Sequence, residues 1–290
     1  MSHTAYQPPG MRLELEADYV VVGSGAGGAT IAGSLARGGG DVAVIEAGPW
    51  RNPIDYPNSM YGAMRDMLDD WGTLLTRGRA FWPIVQASLV GGTTVINSAI
   101  VVRTPGDIFE EWQREHGFGG DALAQRIWAY QDELEEELWV SEASAHARGK
   151  SNITAMKAAK ALGFKSHYMQ RNVRGCVGSG QCLQGCRNDK KQSANINFIP
   201  EVMSYGGRVI SCAPVKHVKF VGNRAVGVEG HFRHPATGEM GSAFCIRARK
   251  AVIVAASATH TPALLMRSGV KHPALDKYFC AHPGLGCFGI

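Results

Sequence analysis

An α/β chain built on a doubly wound, Rossmann-like sheet is the architecture this sequence predicts, and three observations carry it. Residues 18–46 read DYVVVGSGAGGATIAGSLARGGGDVAVIE: an apolar run, a glycine cluster, a helix-compatible stretch, a second apolar run and then an acid. That is the order of a strand, a helix and a second strand around a dinucleotide. A second glycine pair stands at Gly91 and Gly92. A further apolar run, residues 251–256, returns late in the chain with the continuous pattern of a parallel strand. A partial, largely helical cap region and a small antiparallel β layer complete the prediction.

Each element follows in order. Residues 19–22 form a strand buried on both faces, and Gly23, Gly25 and Gly28 supply the G-x-G-x-x-G spacing at the strand-to-helix turn. Gly23 permits the tight turn, Gly25 lets the backbone approach a pyrophosphate, and Gly28 lets the helix pack close to the strand. The phosphates then meet the positive end of the helix. Glu46 closes the second strand, where an acid accepts hydrogen bonds from the hydroxyls of an adenosine ribose and repels a 2′-phosphate, which argues against NADP. Residues 47–59 are a loop rich in proline and asparagine, able to wrap over a ligand. Helices are expected at 106–117, at 121–140, whose acidic run is a solvated face, and at 152–162, stopped by Gly163. A loop rich in glycine and cysteine covers 174–189. Short strands at 208–212, 215–221, 225–230 and 243–246 make the antiparallel layer. The strand at 251–256 is expected to pair beside 19–22, followed by a helix at 262–267 with proline near its first turn. The domain reading is a first part of the cofactor domain at 1–105, a helical region with the cysteine loop at 106–190, the returning part at 191–275, and the start of a truncated substrate domain at 276–290.

Composition narrows the function classes. With 290 residues, 45% hydrophobic and 19% charged, the chain has the profile of a soluble globular protein. Its net charge of +5 is not gathered into a basic block with interleaved aromatics, so nucleic acid is a poor partner. The N-terminal segment has no apolar signal core, and no stretch approaches the ~18 apolar residues that span a bilayer. The expected location is cytoplasmic, or exported with a partner subunit. Seven cysteines, three of them clustered, argue against a secreted disulfide framework.

The second glycine site reads LVGGTTVINSAIVVRTP over 89–105. Gly91 and Gly92 offer bare backbone to a flat ring or a pyrophosphate, while Thr93, Thr94 and Asn97 offer hydrogen bonds. Together with the first unit, this segment resembles the glucose/methanol/choline family of flavin oxidoreductases. The family motif runs Gly-Gly, two small hydroxyl residues, two apolar residues and Asn, matched here from Gly91 to Asn97. AVIVAASATHTPALLMRSGV, residues 251–270, resembles the second family signature, except that Ser257 stands where the family usually has glycine. The resemblance implies FAD rather than NAD as cofactor. It places Gly23, Gly25, Gly28 and Glu46 on the ADP half and Gly91, Gly92, Thr93 and Asn97 near the flavin, with Ala26, Ala47 and Ala256 among the cofactor contacts. Val215 resembles the family valine whose backbone meets the adenine. The implied reaction oxidises an alcohol or sugar CH–OH group, with a base taking the hydroxyl proton and hydride passing from carbon to flavin N5.

The family's catalytic His lies in a segment well beyond the Thr-Pro helix, so no catalytic residue is assigned and the expected His lies past residue 290. His282 belongs to a stretch resembling a structural His-Pro-Gly rather than the base. The chain therefore reads as the N-terminal half of a longer enzyme, inactive alone. An oxidase passing electrons to oxygen and a non-catalytic FAD-binding or electron-transfer subunit are the alternatives, with an electron-acceptor protein as a possible partner. Cys176, Cys182 and Cys186 stand in a C-x5-C-x3-C pattern with Ser179 where a ferredoxin spacing has cysteine. Three thiolates suffice for a three-iron cluster, as some sugar dehydrogenases resembling this chain carry; zinc and a purely structural loop are the other readings. The structural loop, with no metal, is preferred because Ser179 breaks the pattern.

Overall fold

The computed structural model describes residues 2–78 and 81–280, so His282 and Cys287 lie outside the described residues. Two compact units emerge, one from the described residues of Met1–Pro49 and Val202–Ile290, the other from those of Trp50–Glu201.

The chain enters the first unit through β1 (His3–Thr4) and β2 (Leu13–Val22), crosses through α1 (Ala26–Arg37) and returns in β3 (Val42–Ile45). The run that reads as a strand at 19–22 is thus the end of one that begins six residues earlier. Its first half alternates between half-buried and exposed positions, and Val20, Val21 and Val22 follow in the interior. α1 is alanine- and glycine-rich on its inner side: Gly28, Ala29, Ala32, Gly33 and Ala36 are buried. Small residues there let the helix sit close on β2 and β3.

In the second unit, α2 (Met60–Met67) begins at Ser59, whose hydroxyl caps the Gly62 amide at 3.1 Å. β4 (Leu74–Leu75) and β5 (Pro83–Ile84) form a short antiparallel pair. β6 (Ile100–Val101) joins a three-stranded antiparallel sheet with two later strands. Between them run α3 (Gly106–His116), ended by Gly117 at φ 71°, and α4 (Gly120–Glu137). β7 (Val140–Glu142), α5 (Lys150–Ala161) and β8 (Gln170–Asn172) follow. The helices expected at 106–117 and 152–162 are present, whereas that expected at 121–140 stops at Glu137 and gives way to β7. Tyr56, Met67, Leu89, Val95 and Ile96 fill one of this unit's cores.

After α6 (Phe198–Ser204) the chain re-enters the first unit in β9 (Arg208–Ile210), β10 (Val215–Val221), β11 (Arg224–Arg233) and β12 (Met240–Val254), and ends its regular structure in α7 (Ser257–Arg267). The sheet order is β1-β9-β3-β2-β12-β11-β10. The expected small antiparallel layer is present in β10, β11 and β12, and one strand assigned to it is corrected here. β9 pairs in parallel with β3, and β10 and β11 are antiparallel strands of the same seven-stranded sheet. The strands expected at 243–246 and 251–256 are one: β12 pairs with β11 through Arg247 and with β2 from Phe244 to Val254, with a register shift between Ala248 and Ala251. Ala251 lies opposite Tyr19 and Val254 opposite Val22, as expected of the returning strand.

The polar stretch Arg247, Arg249 and Lys250, which reads as a gap between strands, is held in the strand by acids. Arg249 reaches Asp18 at 2.7 Å, Asp41 at 2.9 Å and Glu16 at 3.1 Å, and Lys250 reaches Asp18 at 2.8 Å. Lys250 and Arg249 together hold the Asp18 carboxyl at about 2 instead of 3.8. Between those values the unfolded chain binds a proton that the native state does not, so stability falls as pH drops through this window. Asp18→Asn is expected to remove that loss; equal acid sensitivity of wild type and variant in an unfolding series would refute the assignment.

α7 also starts earlier than expected, at Ser257 rather than at 262, with Pro262 inside it. Ser257 has φ 75°, a left-handed conformation that favours glycine, and its hydroxyl accepts from the His260 amide at 3.2 Å. Ser257→Ala keeps the strain and loses the bond, an expected cost of about 1 kcal/mol. Ser257→Gly loses the bond but relieves roughly the same amount of strain. Denaturant midpoints should therefore rank the glycine variant above the alanine variant, and the reverse order would show that the strain is not real.

Candidate functional site

The C-terminal ends of the parallel strands β2, β3 and β12 build the site in the first unit, as expected for ligands of open α/β sheets. Gly23 leaves β2 at φ 100°, and its amide donates to the Ile45 carbonyl at 2.8 Å. A Cβ built on Gly23 would overlap the Ala255 carbonyl oxygen, and one on Gly28 would overlap the carbonyl oxygen of Gly23 itself. The turn is thus a knot of backbone with no room for a side chain, closed from the other side by Ala255 and Ala256 at the end of β12. Gly25 is the N-cap of α1, with no side-chain cap, and the first turn carries no acid. The positive helix end is therefore open to an anion.

Glu46 stands at the tip of β3 and is 8% exposed. Its Oε2 accepts from the Ser24 amide at 3.0 Å and the Ser24 hydroxyl at 2.6 Å, and its Oε1 accepts from the Gly48 amide at 3.0 Å. Burial pushes its pKa up, while the donors from Gly48, Ser24 and Ala47 pull it back down. A carboxylate surrounded by donors is an acceptor of the kind a ribose needs, and it also pins the glycine turn to the next strand. Ala26 and Ala47 are exposed beside these groups. Ala213 donates from its amide to the Glu46 carbonyl at 2.9 Å, which brings the half-buried Val215 to within two residues of the same strand tip.

Gly91, Gly92, Thr93 and Asn97 belong to the second unit and form a cluster of their own. Gly91 has φ 97° and Gly92 φ 54°. The space beyond Gly91 is filled by protein rather than open: a Cβ there would meet Val95 Cγ2 at 2.8 Å and the Asn195 amide at 3.0 Å. The hydroxyls are engaged too. Thr93 Oγ1 accepts from the Ala87 amide at 3.2 Å, and Thr94 donates to the Gly91 carbonyl at 2.6 Å while accepting from the Ala194 amide at 3.0 Å. Asn97 Oδ1 accepts from the Ala99 amide at 3.0 Å. Thr93 and Asn97 are exposed, so each still presents an edge to solvent.

Sequence reasoning missed the residue that fastens this cluster. Lys191 is 1% exposed, and its ammonium donates to the carbonyls of Val95 at 2.5 Å, Asn97 at 2.8 Å and Cys182 at 2.9 Å. One side chain thus ties the Gly-Gly loop to the cysteine loop. Lysine just after a glycine-rich loop reads as a surface residue, and no signal in the sequence marks it otherwise. Cys176, Cys182 and Cys186 line a common cavity of about 90 Å³. Among the described residues, no group of three or more His, Cys, Asp or Glu side chains is arranged to hold a metal. No helix of the described residues is long and apolar enough to cross a membrane.

The glycine knot, the bare helix end and the buried acid have, on a Rossmann-like sheet, the geometry expected of a dinucleotide turn. The model of the GMC oxidoreductase family matches residues 17–284, and the chain belongs to that family of FAD-binding oxidoreductases. It is 35% identical over 286 residues to a GMC-type oxidoreductase of Mycobacterium tuberculosis, covering 94% of this chain and 43% of that protein. It is 29% identical over 283 residues to a long-chain-alcohol oxidase of Arabidopsis thaliana, covering 95% of this chain and 37% of that one. Among solved structures, formate oxidase of Aspergillus oryzae shares the fold at 19% identity and a TM-score of 0.62, over 90% of this chain and 48% of that one. The chain thus spans less than half the length of these relatives.

Proposed function

We propose that this chain binds FAD through its first unit and serves the oxidation of CH–OH groups of an alcohol or sugar. The observation that carries the reading is the backbone knot at Gly23 and Gly28 beside a helix end without an acid, next to a buried carboxylate. The α1 amides would hold the pyrophosphate, with Gly25 and Ala26 nearest it. Glu46 would accept from the adenosine ribose, whose hydroxyl takes the place that the rotatable Ser24 hydroxyl now fills; Ala47, Val215 and Ala256 would flank the adenosine and the turn. Gly91, Gly92, Thr93 and Asn97 are assigned to the flavin half by motif. FAD supplies the acceptor for a hydride; the chain supplies orientation and a charged anchor. The long-chain-alcohol oxidase among the relatives supports the substrate class.

The test is FAD titration of the purified chain, read by flavin fluorescence and calorimetry, with NAD as comparator. Saturable FAD binding is expected. Glu46→Gln sets an amide NH2 against the amide donors of Ser24 or Gly48, and loss of a bond to a charged group is worth about 1.5–3 kcal/mol. FAD affinity should fall by a factor of tens. A folded chain that ignores FAD, or a Glu46→Gln variant with unchanged affinity, would overturn the assignment.

A further inference from the structure

The cysteine loop carries chemistry that flavin binding does not use. Arg171, on β8, donates from Nη2 to the Ser98 carbonyl at 2.8 Å and to Sγ of Cys182 at 2.9 Å. Its Nε is buried and has no hydrogen-bond partner among the described residues. Three cationic side chains, Arg171, Lys190 and Lys191, line the cavity that holds the cysteines, and among the described residues no carboxylate does. The three sulfurs are not equivalent. Cys176 Sγ accepts from the Gly178 amide and Cys186 Sγ from the Lys190 amide, both at 3.4 Å, whereas Cys182 faces a guanidinium. A half-buried sulfur in an electropositive, partly open cavity is the setting in which reactive cysteines are found.

We propose that Cys182 is a peroxide-reactive cysteine, a modification site whose oxidised form is held by Arg171. The oxidant is hydrogen peroxide, small enough for a cavity of about 90 Å³. The Cys182 sulfur attacks one peroxide oxygen, an S–O bond forms and the O–O bond breaks. Sulfur is oxidised by two electrons and the peroxide is reduced by the same two; the departing hydroxide takes the proton that the sulfur gives up and leaves as water. The product is a sulfenic acid at Cys182. Its oxygen is the acceptor that Arg171 Nε lacks, so oxidation satisfies a buried donor instead of stranding one. Because Lys191 joins the Cys182 carbonyl to the Gly-Gly loop, the modification lies one residue contact from the flavin-side motif.

The experiment needs no flavin, so it stands or falls apart from the cofactor assignment. The reduced full chain is treated with a small excess of hydrogen peroxide in the presence of dimedone, and each cysteine peptide is quantified by mass spectrometry. Cys182 is expected to take the label at least about tenfold faster than Cys176, Cys186, Cys245 or Cys280, and Arg171→Met to remove most of that preference. If Arg171→Met fails to fold, the distribution in the unaltered chain decides alone. Labelling spread evenly, or led by another cysteine, overturns the proposal. So does iron with sulfide that copurifies and is lost in Cys182→Ser, because the sulfurs would then be ligands.

Discussion

Replacing Lys191 by Met is expected to destabilise the second unit by about 3 kcal/mol, since three buried carbonyls lose their donor and each unsatisfied group costs about 1–3 kcal/mol. The acceptors are those of Val95, Asn97 and Cys182. Methionine keeps the length and the apolar stem, and releasing a buried charge from its desolvation cost offsets part of the loss. The effect also has a pH signature. Burial pushes the Lys191 pKa down to about 8 from 10.5, against the pull of the Cys182 and Cys186 sulfurs and with a further push from Arg171. Between those two values the unfolded chain still binds the proton that the native chain has released. Stability of this unit therefore rises with pH across that window. The variant should lack the rise as well as the stability. Chemical denaturation from pH 7 to 10.5 checks both; an unchanged midpoint in Lys191→Met, or a flat wild-type profile, would show that the contact is incidental.

The second large effect is expected at Gly28, with its neighbour as the control. A single methyl at Gly28 would overlap the Gly23 carbonyl oxygen and stand 2.9 Å from the carbonyl carbon and 3.3 Å from Ala255 Cβ. Backbone cannot step aside as a side chain can, so Gly28→Ala should cost at least the ~1–3 kcal/mol typical of overpacking and displace α1 from the strand tips. FAD binding should be lost along with the turn geometry. Gly27 has nothing within 4 Å of its would-be Cβ. Gly27→Ala should therefore raise stability by up to about 1 kcal/mol, the ordinary gain in a helix. Thermal unfolding of the two variants side by side separates close packing from helix propensity. Equal behaviour of the pair would remove the packing role assigned to Gly28.

How far the sequence could be read follows from how local each signal is. The unit at 18–46 was legible because its strand, turn, helix, strand and acid lie within one short stretch, and Gly23 and Gly28 stand where a side chain would overlap backbone. The N-terminal half of β2 was not read, although LELEA alternates, because its acids look solvent-bound until Arg249 and Lys250 are placed beside them. The same pairing hid the continuity of β12, since Arg247 to Lys250 reads as a break when its partners are more than two hundred positions away. Likewise the antiparallel character of β10 and β11 was visible, whereas their membership of the main sheet was not. Sheet membership depends on which edge is vacant, and only the assembled strands show that.

By itself, then, the sequence determined the dinucleotide unit, the flavoprotein family and the identity of the acid at the strand tip, because these rest on short spacings and on residue types with one steric or electrostatic use. Only the tertiary structure decided that Glu46 locks the glycine turn through Ser24 and Gly48, that Lys191 is buried among three carbonyls, and that Cys182 rather than its neighbours faces Arg171. The physical reason is that burial and hydrogen-bond partnership belong to pairs of distant segments. A lysine or a cysteine has no fixed meaning until the fold supplies the groups that surround it.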